Sequence, residues 1–316
     1  MSNRLNSSPA QAIQIHHKSL GRRILDYWQI YVLLLPAVIY IIIFNYAPMF
    51  GLQIAFRNFK TKLGFFNSPW VGWKYFEKFF TYPHCWRIIK NTLVLSLYSL
   101  ATFPLAVIAA LLINELRSTK LKKTVQMVTY APHFISTVVI VSMLQLFMGQ
   151  STGIINHVVE WLGGTRTDFL GNSEMFAHIY VWSGVWQELG WGTIIYLSTL
   201  SGVSPELHEA AYIDGANRMQ IIWHINIPSI LPTVVIMLIM RCGNILSVGY
   251  EKAYLMQNDL NLDASQIIST YTYQLGILGG QYSYSTAIGL FNTVVNVAML
   301  VIVNTISKKL SDTSLW

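Results

Sequence analysis

Six stretches of this chain are too long and too apolar to lie in water. The first contains YVLLLPAVIYIIIF and runs from about 31 to 56. The others cover about 91–112, 124–148, 174–197, 229–248 and 285–306. A helix needs ~20 predominantly apolar residues to cross the hydrocarbon core of a bilayer. In lipid every backbone polar group must bond within its own segment or a closed barrel. No period-two alternation of the barrel kind is present. The expected fold class is therefore all-α: a polytopic membrane protein with six transmembrane helices. Composition agrees, since only 11% of residues are charged against about 25% in soluble domains.

The connections are unequal. Spans two and three are joined by a short basic turn, ELRSTKLKK, and spans three and four by a loop with a short amphipathic helix, GIINHVVEWLG. The expected division is a cytoplasmic N-terminal tail at 1–28, a six-helix domain at 29–307 and a cytoplasmic C-terminal tail at 308–316. Excess Lys and Arg mark cytoplasmic loops. With both termini inside, 11 Lys/Arg fall inside and 9 outside, with Arg241 within a span. The first outer loop narrows that margin, with seven cations (Arg57, Lys60, Lys62, Lys74, Lys78, Arg87, Lys90) against one acid, Glu77. The short turns carry the orientation better: Arg22 and Arg23 precede the first span, Lys120, Lys122 and Lys123 the third, and Lys308 and Lys309 follow the last.

Several function classes are excluded or left without support. The net charge of +7 comes from cations flanking apolar runs, so it does not point to nucleic acid. Cys85 and Cys242 stand far apart and give neither a disulfide framework nor a metal spacing. No G-x-x-x-x-G-K-S/T occurs, so any ATP and Mg used must be bound by another subunit. There is no HExxH, CxxC or nucleophile elbow; no catalytic residue and no metal site is expected. His16-His17 reads as a solvated pair in a polar tail, and His84 beside Cys85 lacks further ligands. The polar N-terminus reads as a mature tail rather than a signal peptide.

The densest polar cluster sits between spans four and five, at 204–228: SPELHEAAYIDGANRMQIIWHINIP. Ser204-Pro205-Glu206 is a helix start, with Ser as N-cap, Pro at the first position and Glu in the first turn. Gly215 permits a turn. Asn217 to Ile227 then fits a second, amphipathic helix at the membrane surface, and Pro228 and Pro232 restart the chain as a transmembrane helix. Ala210, Ala211 and Ala216 leave a smooth face for close approach by another protein. An interfacial connector without a partner fits the same composition.

The pattern Glu209-Ala210-Ala211, Asp214-Gly215-Ala216, Ile225-Asn226-Ile227-Pro228 resembles the EAA loop of type I ATP-binding-cassette (ABC) importer permeases. YVLLLPAVIYIIIFNYAPMFGLQIAF, SPWVGWKYFEKFF, YAPHFIST, GQYSYSTAIGLFNTVVN and ISKKLSDTSLW extend the likeness over nearly the whole chain from about residue 27. Together they look most like the maltose-permease-related group that takes up oligosaccharides or polysaccharide fragments in Gram-positive bacteria. The resemblance implies a multi-pass bacterial cell-membrane protein with both termini cytoplasmic. It implies a second homologous permease, two ATPase subunits, an extracellular solute-binding protein, an oligosaccharide substrate and no cofactor in this chain. The coupling residues it implies are Glu209, Ala210, Ala211, Asp214, Gly215, Ala216 and Pro228.

Polar residues within spans usually line a cavity or pair with one another. In the fourth span Trp182, Trp186 and Trp191 offer faces for sugar rings, and Gln187 and Glu188 offer hydroxyl acceptors. The fifth span offers Arg241 and Asn244. Other readings stay open. Trp at span ends anchors helices at the interface, Glu188 and Arg241 can neutralise each other, and Asn292 and Asn296 can bond helix to helix. The cationic first outer loop favours an acidic oligosaccharide or an acidic patch on a binding lipoprotein. Two alternatives to an importer subunit remain: a stand-alone ion-coupled secondary transporter, and a membrane sensor or scaffold. The first predicts an inverted repeat and buried acids, and neither needs a projecting helix at 204–228.

Overall fold

The computed structural model describes residues 26–310 and 313–316. The expected tail at 1–25, with His16-His17, Arg22 and Arg23, lies outside the described residues, as do positions 311 and 312. The chain divides into two compact units, Met1–Leu52 and Gln53–Trp316. Within the first, helix α1 (Trp28–Ile41) passes through a π-helical turn, Ile42–Tyr46, into Ala47–Met49. Residues 26–50 are all exposed, as suits a helix apolar on every side.

The second unit is helical; among the described residues the only β pairing is an isolated bridge, Arg57 with Trp70. The second span is α2 (Cys85–Ala101) and α3 (Pro104–Asn114), where Pro104 takes the N-terminal position and costs no ladder bond. The third span is not straight. α4 (Thr119–Tyr130) ends in the 3-10 turn Ala131–Phe134, and α5 (Thr137–Met148) leaves at 96°. Pro132 lacks an N–H, and Ser136 caps the new helix by accepting from the Val139 N–H at 3.4 Å, so the sequence stops one helix and starts another. The amphipathic helix expected in GIINHVVEWLG forms at Ile154–Trp161.

The fourth span lies inside α6 (Ser173–Ser201), 29 residues long. It is capped by Asn172, whose side chain accepts from the Glu174 N–H. Then come α7 (Pro205–Ile213), a short helix Arg218–Ile221, and α8 (Ile227–Cys242). α9 (Tyr250–Met256) precedes the last helix, α10 (Tyr282–Leu310). By length and composition four helices suit a membrane crossing, and five do if the bent third pair is one span. α6 is long enough, but Gln187, Glu188 and its glycines and serines dilute its apolar character.

One expectation is corrected here. The chain does not restart at Pro228; Arg218–Cys242 is one continuous 25-residue helix. The π-helical turn Ile222–Asn226 precedes the proline, with the Ile227 N–H bonded to the Ile222 carbonyl. That extra residue shifts the ladder, so Pro228 removes no bond the helix requires. The same device stands in the first unit, where the π turn Ile42–Tyr46 precedes Pro48.

α6 is the central helix, packing against α2, α3, α4 and α8. Gly190 allows the closest approach: a Cβ there would overlap the Thr129 carbonyl of α4. Small residues at crossings are how helices gain packing energy in lipid. Phe176, Tyr180 and Val181 of α6 pack with Leu95 of α2 and Met256 of α9. At the other end Leu111, Leu200 and Ile230 bind α3, α6 and α8 together. Asn296 of α10 accepts from the Leu246 N–H at 2.9 Å and donates to Ser247 Oγ at 2.8 Å. Asn296 thus bonds α10 to the turn that follows α8 rather than to a second helix.

Candidate functional site

The loop after α6 is built by local rules. Ser204 Oγ accepts from the Glu206 N–H at 3.3 Å and Pro205 fills the first helical position. α7 stops at Asp214, and Gly215 adopts φ of 79°, a left-handed conformation that disfavours a Cβ. The Ala216 N–H bonds the Ala211 carbonyl at 2.9 Å and the Gly215 N–H the Tyr212 carbonyl at 3.1 Å. This crossed pair is a Schellman motif. The next helix opens on a reciprocal capping box between Asn217 and Gln220, which satisfies two end donors at once.

α7 is two-faced. Leu207, Glu209, Ala210, Tyr212, Ile213 and Asp214 are exposed, whereas His208 and Ala211 are half-buried. Ile213 is 86% exposed. Exposed apolar side chains on a short, well-capped helix are the anchors from which interface energy comes. Sequence reading named the small and acidic residues and passed over Leu207, Tyr212 and Ile213. Gly215 and Ala216 terminate the helix, and Pro228 lies in the continuous helix beyond it.

A second site is a cleft in the helical unit that opens to its surface, where Glu188 and Arg241 are exposed. A cavity of about 660 Å³ is lined by residues of α2, α6, α8 and α9, including Ser99, Gln187, Glu188, Arg241 and Lys252. A smaller one of about 350 Å³ is bordered by Ser96, Asn244 and Ser247, and shares Ser99, Tyr180 and Arg241 with the first. Ser96 Oγ is buried without a hydrogen-bond partner.

The cavity charges are unevenly matched. Glu188 Oε2 lies 2.9 Å from His133 Nδ1, and the His133 ring stacks on Trp191 at 4.2 Å and 4°. Gln187 Nε2 donates to the Ile135 carbonyl at 3.1 Å. Gln187, Glu188 and Trp191 thus hold the break in the third span against α6, and the first two line the cavity. Glu188 does not pair with Arg241: among the described residues no carboxylate lies within 4.0 Å of the Arg241 guanidinium. Lys252, which sequence reading did not single out, donates to the Tyr180 carbonyl at 2.9 Å and lies 5.0 Å from the Tyr180 ring centre. It too has no carboxylate within that range. Burial pushes the Lys252 ammonium down to about 8, and the charge of Glu188 opposes the shift.

The remaining predicted contacts are elsewhere. Trp182 and Trp186 line neither cavity. Trp182 Nε1 donates to the Tyr98 hydroxyl at 2.9 Å, and that hydroxyl lies 2.9 Å from His178 Nδ1. Asn292 Oδ1 is buried without a partner. Cys85 and Cys242 are free and buried. Among the described residues no group of three His, Cys, Asp or Glu side chains could hold a metal ion.

A mostly apolar helical bundle with a charged cavity and an exposed, sharply capped helix fits a multi-pass membrane permease subunit. The chain belongs to the family of binding-protein-dependent transport system inner membrane components, whose profile matches residues 102–312. It is similar to Protein LplB of Bacillus subtilis (strain 168), with 43% identity over 92% of both chains. It is also similar to the polygalacturonan/rhamnogalacturonan transport system permease protein YteP of the same organism, with 39% identity over 95% of this chain and 94% of that one. Among solved structures it resembles a chain from a bacterial ABC transporter involved in the import of the acidic polysaccharide alginate. The TM-score is 0.86 and the identity 39%, covering 93% of this chain and 100% of the other. A chain of the alginate transporter bound to an alginate pentasaccharide-loaded periplasmic protein gives the same TM-score at 38% identity. The protein is thus a permease subunit of a binding-protein-dependent ABC importer whose relatives include sugar permeases.

Proposed function

We propose that the chain forms half of the pathway of an ATP-driven importer for oligosaccharides or polysaccharide fragments that carry carboxylates. The carrying observation is the pair Arg241 and Lys252, two cations facing one cavity with no carboxylate in ion-pair range. A buried charge such as Lys252 is expensive unless it is paired or faces a wet pathway. A guanidinium offers a planar fork that matches a carboxylate. A uronate would supply the missing counter-charge in transit, and Ser99 and Asn244 would meet hydroxyls. YteP is named for polygalacturonan/rhamnogalacturonan transport and the similar solved transporter imports the acidic polysaccharide alginate, which supports the same class.

In this reading six spans cross the membrane, α6 among them, and both termini are cytoplasmic. A second, related permease completes the pathway and an extracellular binding protein delivers the sugar. Two partner ATPase subunits bind ATP and Mg. α7 docks in a cleft of one of them through Glu209, Ala210, Asp214 and the exposed Leu207, Tyr212 and Ile213. Coupling requires that nucleotide and sugar each favour a different state of the bundle.

The test is uptake into proteoliposomes by the complex purified on a tag carried by this chain, with its binding protein. The probes are oligogalacturonate, oligomannuronate and their carboxyl-reduced neutral forms. We expect a carboxylated probe to drive uptake and ATP hydrolysis, and Arg241→Gln to abolish the preference over its neutral form. Equal use of the neutral forms overturns the carboxylate assignment. Failure of any ATPase to co-purify, with uptake sustained by an ion gradient alone, overturns the importer assignment.

A further inference from the structure

The loop helix α7 is tied to the membrane helices through one buried amide. Asn226 is 1% exposed and ends the π-helical turn that leads into α8. Its Nδ2 donates to Glu115 Oε1 at 3.3 Å. Its Oδ1 lies 2.9 Å from His208 Nε2. With Nδ2 committed to Glu115, Oδ1 can only accept, so the proton sits on Nε2 of His208. Glu115 is the C-cap residue of α3 and His208 lies in the middle of α7. One side chain therefore joins three elements that are 18 and 111 residues apart in sequence.

The junction is specific in two ways. Among the described residues, His208–Asn226 is the only side-chain hydrogen bond that leaves α7 for another helix. It also uses the half-buried side of α7, leaving the exposed side free. Each end of the amide serves a different helix, so neither bond can substitute for the other. A buried polar group left without its partner is costly, which favours states in which α7, α3 and α8 shift together. Leu111 and Ile230 pack in one apolar cluster close by, but apolar contacts slide more readily than a bonded amide, because they carry no direction.

We propose that His208 and Asn226 are positioning residues that make a displacement of α7 move the adjoining ends of α3 and α8 as one body. The proposal rests on the reading of α7 as the helix that meets the ATPase. The side chains transmit through their hydrogen bonds and touch neither nucleotide nor sugar.

Hydrogen–deuterium exchange on the purified complex tests this without knowledge of the sugar. The complex, with its partner permease, ATPase subunits and binding protein, is compared nucleotide-free and trapped with ATP and vanadate. In the wild type, trapping should change exchange in α7 and also around Glu115 and Asn226. His208→Phe should keep the change in α7 and reduce the change at the other two by roughly tenfold, the scale of one lost buried hydrogen bond. His208→Gln, with an amide donor near the Nε2 position, should restore it. Asn226→Asp sets two carboxylates against each other, and should lose the response at Glu115 while keeping it in α8. Adding Glu115→Gln reverses the polarity of that bond and should restore the response; a merely structural role predicts no such rescue. If Asn226→Asp responds like the wild type at Glu115, or the double variant does not recover, the junction is wrong. Ile213→Asp separates the two readings. If it leaves ATPase attachment and the α7 response intact, the docking of α7 has failed. If it abolishes attachment while His208→Phe keeps a full response, only the junction falls.

Discussion

The loop around α7 and the cavity beside α6 are built on opposite plans. The loop closes on itself within a few residues. Ser204 caps its start, Gly215 ends α7, and Asn217 with Gln220 opens the next helix, all through bonds spanning five positions or fewer. The cavity gathers Ser99, Glu188, Arg241 and Lys252 from four separate helices, and Lys252 reaches the Tyr180 carbonyl across 72 positions. The loop presents a rigid outer surface; the cavity holds charges whose cost only a surrounding fold can support. A partner can therefore recognise the loop by shape, whereas selection in the cavity rests on unmatched charge.

The largest expected effect falls on the cavity. Arg241→Glu places an acid where a carboxylated cargo must pass, and should lower its uptake by roughly a hundredfold, the scale for breaking a desolvated charge contact. ATPase co-purification should stay normal. If both fall together, the two regions are not separable and the comparison fails.

Gly215→Val acts on the other region. Its left-handed backbone would cost a β-branched residue about 1–2 kcal/mol, enough to weaken ATPase attachment roughly tenfold. Pull-down of the ATPase on tagged permease measures this, while uronate binding to the detergent-purified permease should not change.

A pH series sharpens the cavity side. Lys252 titrates at about 8, so its charge is present below that value and lost above it. Uptake of a carboxylated probe should fall as pH rises through about 8, and Lys252→Arg should flatten the decline, because arginine stays charged. An unchanged decline in that variant would assign it to another group.

Smaller effects are expected where only one end bond is lost. Asn217→Ala removes an N-cap and should cost ~1 kcal/mol, seen as a modest drop in the melting temperature of the complex. Trp182→Ala should change uptake least, since that ring borders neither cavity; a large loss would mean the sugar path extends beyond them.

The sequence by itself determined the helical membrane class, the first and last apolar helices to within a few residues, and the start and stop of α7. Apolar run length and capping residues act locally, and a chain carries local rules in plain order. Three things waited for the tertiary structure. The third span bends at Pro132 and Ser136, where the sequence reading ran one span straight through. The helix beyond Gly215 continues through Pro228, because a π turn shifts the hydrogen-bond ladder ahead of the proline. And Glu188 pairs with His133, leaving Arg241 and Lys252 to face the cavity. Which charge meets which depends on helix crossings, such as the one Gly190 permits against Thr129. Contacts between distant segments are set by packing, and packing is a property of the assembled bundle rather than of any stretch of chain.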